Sequence, residues 1–277
     1  MTHSTRTPSR PLPRQPNTPS SHPQLAAALT CCAALLLCAT SCAGTDVGNP
    51  ADDIRFQFTA LDPANALTLE SGLVIDEAWV VFRQLRLWKF KDKDKDKCTG
   101  TDRVDITGLF AVELISGREL PQIPAATADA FSICRLDIKL ANDGAATLPS
   151  DTPSTLANAS IWLKGSLPDG RPFSIQLDMN EMLSLKTISE SVTLGADIKD
   201  LLLTFDFATW ITADTLAKLQ NIPGDEVIIT PKTSDAGSIL SALKKGIKAA
   251  IKLSPDTNKD GRSQANERAQ TLAESEP

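Results

Sequence analysis

The stretch Ile54 to Leu61, IRFQFTAL, sets apolar Ile54, Phe56, Phe58 and Ala60 on one side and Arg55, Gln57 and Thr59 on the other. A period of two is that of a strand with one face buried and one face wet. The same alternation returns in FSICRLDIKL (131–140), where Cys134, Leu136, Ile138 and Leu140 oppose Arg135, Asp137 and Lys139. It returns again in PFSIQLDM (172–179), with Phe173, Ile175, Leu177 and Met179 inward, and in LLLTFDF (201–207), with Leu201, Leu203, Phe205 and Phe207 inward. Further apolar runs are VIDEAWVVFRQLRLW, VDITGLFAVELI, SIWLKGSL and EVIIT. Seven or eight strands separated by Gly, Pro and Asp turns predict a mainly β chain. The expected architecture is an antiparallel, immunoglobulin-like β-sandwich over 54–232, with SIWLKGSL and RPFSIQLDM joined as a hairpin through PDG.

Ahead of this domain the composition changes. Residues 1–24 hold Arg6, Arg10 and Arg14 and no acid, and the run LAAALTCCAALLLCATSCAG follows. A basic segment, a short apolar run and small residues are the layout of an export signal, and the run is too short and wrongly flanked for a stop-transfer helix. Ala39, Thr40 and Ser41 run into Cys42, which resembles the lipobox of bacterial lipoproteins, although Ala39 stands where Leu is usual. The resemblance implies a signal peptide at 1–41, acylation of Cys42 and a lipid anchor in the cell envelope, on the outer membrane. The small, polar segment 42–53 reads as a tether.

Loss of the leader narrows the chemistry. Removing its three arginines from 28 basic residues leaves 25 against 34 acidic ones, a net charge of about −9, which suits no nucleic-acid partner. The two histidines, His3 and His22, both lie in the leader, so the mature chain lacks the imidazole of Ser-His-Asp and Cys-His catalysis. Cys31, Cys32 and Cys38 also leave with it, and Cys42 would carry lipid. Cys98 and Cys134 remain, and in an oxidising compartment they are expected to form one structural disulfide.

Within the domain, KFKDKDKDKCTG alternates Lys91, Lys93, Lys95 and Lys97 with Asp92, Asp94 and Asp96, and reads as a solvated hairpin tip, because the lysines oppose a cation. Trp79, Trp88, Trp162 and Trp210 sit in or beside apolar strands and are expected in the core, with Trp88 the most exposed. The order of lipobox, GTDVGNP tether, VIDEAWVVFRQLRLW, DITGLFAVELI, FSICRLDIKL and LTFDFATWI resembles that of bacterial lipoprotein domains with a transthyretin-like sandwich. That resemblance implies an envelope domain and brings no catalytic residue.

The remaining chemistry lies in DTNKDGRSQANE, Asp256 to Glu267. Calcium takes six to eight oxygens, and an EF-hand loop supplies them from fixed places in twelve residues. Asp256, Asn258 and Asp260 fill places one, three and five, and Gly261 gives the sharp turn. The Arg262 carbonyl is at place seven, Gln264 can act through water at nine, and Glu267 closes the loop at twelve. The stretch therefore resembles an EF-hand loop, implying calcium as the cofactor. Ser263 replaces the apolar residue that pairs with a sister loop, and no sister is present, so the expected site is solitary and weak, at roughly 10⁻⁴ to 10⁻³ M. The pattern Ile239, Leu240, Leu243, Ile247 and Ile251 predicts a helix before the loop, and Ala265, Ala269 and Leu272 a weaker one after it. Residues 233–277 are thus expected to be a helical tail with a helix–loop–helix.

Taken together, the sequence predicts a lipid-anchored envelope protein with a binding or structural role. The alternatives are a polysaccharide or peptidoglycan module, which needs an exposed tryptophan row, and a carboxylate-dependent hydrolase, which needs facing acids in a cleft.

Overall fold

The computed structural model describes residues 52–61, 67–90, 98, 102–142, 148–189, 192–195, 197–234 and 236–275. The chain divides into two units, Met1–Asp46 and Val47–Pro277, and every described residue belongs to the second. Cys42 and the Lys91–Lys97 run lie outside the described residues.

The strands are β1 (Asp52–Ala60), β2 (Leu67–Thr68), β3 (Val74–Lys89), β4 (Arg103–Glu113), β5 (Arg118–Leu120), β6 (Ala126–Ala128), β7 (Phe131–Leu140), β8 (Ile161–Ser166) and β9 (Pro172–Leu177). They continue with β10 (Met182–Thr187), β11 (Val192–Leu194), β12 (Asp200–Phe205), β13 (Val227–Ile229), β14 (Ile251–Pro255) and β15 (Ala273–Ser275). The helices are α1 (Phe207–Trp210), α2 (Ala213–Gln220), α3 (Gly237–Ile247) and α4 (Ala265–Arg268). The main path of the sheet runs β13-β9-β8-β3-β7-β10-β15-β14-β12-β1-β6.

The sheet is mixed, which corrects the expectation of antiparallel pairing throughout. β1 lies parallel to β12, from Arg55 opposite Asp200 to Ala60 opposite Phe205, and β13 lies parallel to β9. Parallel neighbours far apart in sequence leave no local signal in either strand. The β8–β9 hairpin is present, with Leu167 and Arg171 closing its turn.

Long strand β3 curls the sheet. Val74–Val80 pairs with β8 and Phe82–Lys89 with β7, while β4 takes the other edge over Trp79–Trp88. The change of partner falls between Val80 and Phe82, and register shifts between Ile75 and Glu77 in the β8 pairing and between Phe82 and Gln84 in the β7 pairing flank it. The concave side holds the core. There Phe58 stacks on Phe82 at 4.7 Å, Phe82 meets Phe110 at 5.3 Å, and Phe58 meets Phe205 at 6.2 Å, joining β1, β3, β4 and β12.

Alternation ends two residues earlier than expected at LLLTFDF. The strand stops at Phe205, because Asp206 accepts from the Ala208 and Thr209 N–H groups and caps α1, which carries Phe207. Trp210 of α1 packs on α3, its Nε1 donating to the Leu243 carbonyl at 2.9 Å. Gly246 is required there, since a Cβ would come within 2.3 Å of the Trp210 carbonyl oxygen.

The C-terminal region departs most from expectation. Helix α3 ends at Ile247, and Ile251 opens strand β14, which pairs with β12 and β15. The segment after the loop forms only the short α4 and then β15, which also pairs with β10. Residues 233–277 are therefore no helix–loop–helix tail: the loop joins a strand to a one-turn helix inside the sheet. Ile251 and Leu253, both fully buried, fit the two-residue period as well as Ile247 and Ile251 fit the helical one.

Cys98 and Cys134 are bonded, with Cα atoms 5.7 Å apart, and the bridge ties Cys98 to β7. Closing a loop of 36 residues restricts the unfolded chain by roughly 4 kcal/mol on the chain-entropy account.

Candidate calcium loop and adjoining cleft

Strand β14 delivers Asp256 to the loop, and its N–H continues the ladder by donating to the Asp200 carbonyl at 2.9 Å. From there the chain turns tightly, with left-handed backbone at Lys259 (φ 60) and Gly261 (φ 70). The Gly261 N–H donates to Asp256 Oδ2 at 3.1 Å, folding the middle of the loop over its first residue. Asn258 Oδ1 accepts from the Asp260 N–H, and Asp260 Oδ1 from the Arg262 N–H.

The end of the loop is a helix start. Gln264 is the N-cap of α4 and Glu267 its third residue, each side chain meeting the other's backbone N–H in a capping box. Glu267 is fully buried: Oε2 accepts from the Gln264 N–H and Oε1 from the Thr257 N–H, both at 3.0 Å. One carboxylate so joins places two, nine and twelve of the loop.

Three contacts seat the loop on the outer face of β1 and β12. Ser263 bridges to Leu61 in parallel register, so β1 supplies the backbone neighbour that a sister loop would otherwise give. Gly261 lies against Gln57, where a Cβ would meet Oε1 at 2.3 Å. Lys259 Nζ reaches Asp200 Oδ2 at 3.2 Å. The sequence hid this seat, because it depends on which strands become neighbours.

Asp256 is the unusual group. It is 4 % exposed, and its Oδ1 is buried with no hydrogen-bond partner. Burial pushes its carboxyl above the usual aspartate range; Gly261 and Lys259 N–H groups oppose this, and the charges of Glu267 and Asp260 add to it. A buried, unpaired oxygen beside two further carboxylates is what a hard cation neutralises. Asn258 and Asp260 are exposed and engaged with neighbouring N–H groups, and Gln264 Nε2 also holds Asp260 at 2.8 Å. Among the described residues no three or more Asp, Glu, Cys or His side chains are already gathered as a cage. Closure on calcium would thus turn Asn258 and Asp260 toward Asp256, with the Arg262 carbonyl, Gln264 through water, and Glu267 completing the set.

Beside the loop an open cleft of about 1550 Å³ is lined by β1 from Arg55 to Thr59, by Glu113, Arg118 and Glu119, and by Asp260 to Arg262. Its acids are largely engaged. Glu113 accepts from the Ala78, Ile115 and Ser116 N–H groups, at 2.9, 3.2 and 2.5 Å, and Glu119 from the Ile123 N–H at 3.0 Å. Sequence reading passed over Glu113, Arg118 and Glu119, since nothing in their spacing brings them to the loop.

No described tryptophan offers an open face. Trp79, Trp162 and Trp210 are buried, and half-buried Trp88 lies under the guanidinium groups of Arg86, Arg103 and Arg135. Its Nε1 donates to Asp137, which is buried although its place on β7 reads as outward.

Comparison with protein-family models, with curated proteins and with solved structures found no match to this chain.

Proposed function

We propose that this chain is a lipid-anchored envelope protein whose β domain carries one calcium-binding loop and does binding or structural work. The observation that carries the calcium reading is the buried, unpartnered Oδ1 of Asp256 at the first place of a loop in which every liganding place is filled. Calcium would neutralise Asp256, Asp260 and Glu267 together and fix the loop on β1. Since β14, α4 and the Leu61 bridge already hold both ends, less ordering is left to the metal than in a free tail. Affinity is therefore expected at the tighter end of the extracellular range, about 10⁻⁴ M.

The anchor rests on the basic leader, the apolar run and the ATSC junction at Cys42. Kinship with transthyretin-like lipoprotein sandwiches rests on the order of sequence features, and the two parallel strand pairs depart from it. Mass spectrometry of membrane fractions tests the anchor: a diacylated N-terminal Cys42 is expected, with release to the soluble fraction in Cys42→Ala. A soluble wild-type chain with another mature terminus would overturn it. For calcium, limited proteolysis with and without the ion should show protection confined to 256–272.

A further inference from the structure

The outer face of the sheet, from β4 across to β14, is built of charged rows. Residues directly opposite one another on antiparallel strands point to the same side. One row runs Arg103, Trp88, Arg135, Lys186, Glu274 and Lys252, across β4, β3, β7, β10, β15 and β14. The next is Asp105, Arg86, Asp137 and Ser184, and a third sets Lys139 beside Met182. The residues between the rows, such as Leu85, Leu136 and Leu185, belong to the core. These rows hold six basic side chains and three acidic ones, a surplus of three positive charges, in a mature chain whose net charge is about −9. Asp137 is turned inward: it is 3 % exposed and takes Trp88 Nε1 at 2.5 Å, Ser184 Oγ at 2.7 Å and Arg135 at 3.1 Å. Asp105 is shared by Arg86 and Arg103, at 2.8 and 2.9 Å. The guanidinium groups of Arg86, Arg103 and Arg135 lie 5.3, 5.6 and 4.6 Å from the Trp88 ring, which holds them on this face. At its border Lys89 and Asp102 pair at 3.6 Å and cancel. Two of the three large apolar side chains exposed among the described residues, Met182 at 38 % and Ile188 at 58 %, stand at the two ends of β10 beside these cations.

We propose that this face rests on an anionic phospholipid surface. Cations alone would suit any polyanion. The exposed Met182 and Ile188 beside them select a surface with an apolar interior beneath its phosphates, where buried apolar area and electrostatic attraction act together. A surplus of three charges gives a weak, salt-sensitive contact. Such a contact suits a face that orients a chain already held at a membrane, rather than one that captures the chain from solution. The inference deepens the envelope reading without resting on acylation of Cys42 or on calcium, because every residue it uses belongs to the folded sheet.

The test uses residues 43–277, which carry no lipid, in EDTA so that calcium bridges nothing. Vesicles of phosphatidylglycerol and phosphatidylcholine in equal parts should float the chain at about 20 mM salt, and vesicles of phosphatidylcholine alone should not. Raising the salt to about 0.15 M should weaken binding roughly tenfold. Lys186→Glu should weaken it about tenfold and Ile188→Ser severalfold. Lys232→Glu, the same charge change at an exposed residue outside the rows, should alter it less than about twofold. Equal flotation on neutral vesicles, flotation on neither kind, or equal losses in Lys186→Glu and Lys232→Glu would each overturn the proposal. So would capture by soluble dextran sulfate that matches the vesicles and is unchanged in Ile188→Ser, which would give the face to a polysaccharide.

Discussion

Glu113 and Asp256 are both buried carboxylates beside the same cleft, 7 and 4 % exposed, and the chain treats them in opposite ways. Glu113 receives three backbone N–H groups, which hold the β4–β5 turn against β3, and no oxygen is left to offer. Asp256 receives Gly261 on one oxygen and nothing on the other, with Glu267 and Asp260 adding to its repulsion. Burial alone therefore does not mark a ligand site. The donor inventory does: a satisfied carboxylate is part of the frame, and an unsatisfied one is held ready for a cation.

The strongest way to break this contrast is Glu113→Ala. It strands three N–H groups near the core and should cost about 3 to 5 kcal/mol in equilibrium denaturation, equally with calcium and with EDTA. A loss under about 1 kcal/mol would mean that the turn finds other acceptors.

The second effect belongs to the ion. With a dissociation constant near 10⁻⁴ M, calcium at about 10 mM should stabilise the wild-type chain by about 2.7 kcal/mol. Glu267→Gln should remove most of that gain, because it takes the charge from the last ligand. It should also lower stability in EDTA, since Glu267 holds the Thr257 and Gln264 N–H groups.

Asp256→Asn separates the two roles. In EDTA it should raise stability by up to about 1 kcal/mol by removing a buried charge from beside two others, and in calcium it should show no further gain. A variant destabilised in EDTA would place Asp256 with Glu113 as a frame residue.

The smallest effect concerns Glu119. Burial raises its carboxyl above the usual range, against the opposing Ile123 N–H, so the fold favours the neutral form. Its contribution is full below the ordinary glutamate range and fades as pH rises through the folded value. Glu119→Gln should flatten stability against pH from the ordinary glutamate range upward, and an unchanged slope would remove Glu119 from the account.

Strands were legible wherever alternation ran long: β1, β7 and β9 are where the pattern put them, because one buried face imposes a period of two, and β3 is where its apolar run put it. β14 was not, since five residues with Ile251 after Ile247 satisfy a helix as well as a strand. The parallel pairing of β1 with β12 joins segments about 145 residues apart, and a strand's sequence records which face is buried but not which neighbour lies at its edge. The same limit governed the site. The ligand places of the loop were readable one by one, but its seat on Gln57, Leu61 and Asp200 was not.

Calorimetric titration of the mature chain with calcium, run beside Asp256→Asn, tests the central claim most directly. The account predicts one site per wild-type chain with a dissociation constant near 10⁻⁴ M, and no calcium heat in Asp256→Asn although that variant is folded. A wild-type chain that takes up no calcium at about 10 mM, or an Asp256→Asn chain that binds it equally well, would contradict the assignment of DTNKDGRSQANE as a calcium loop.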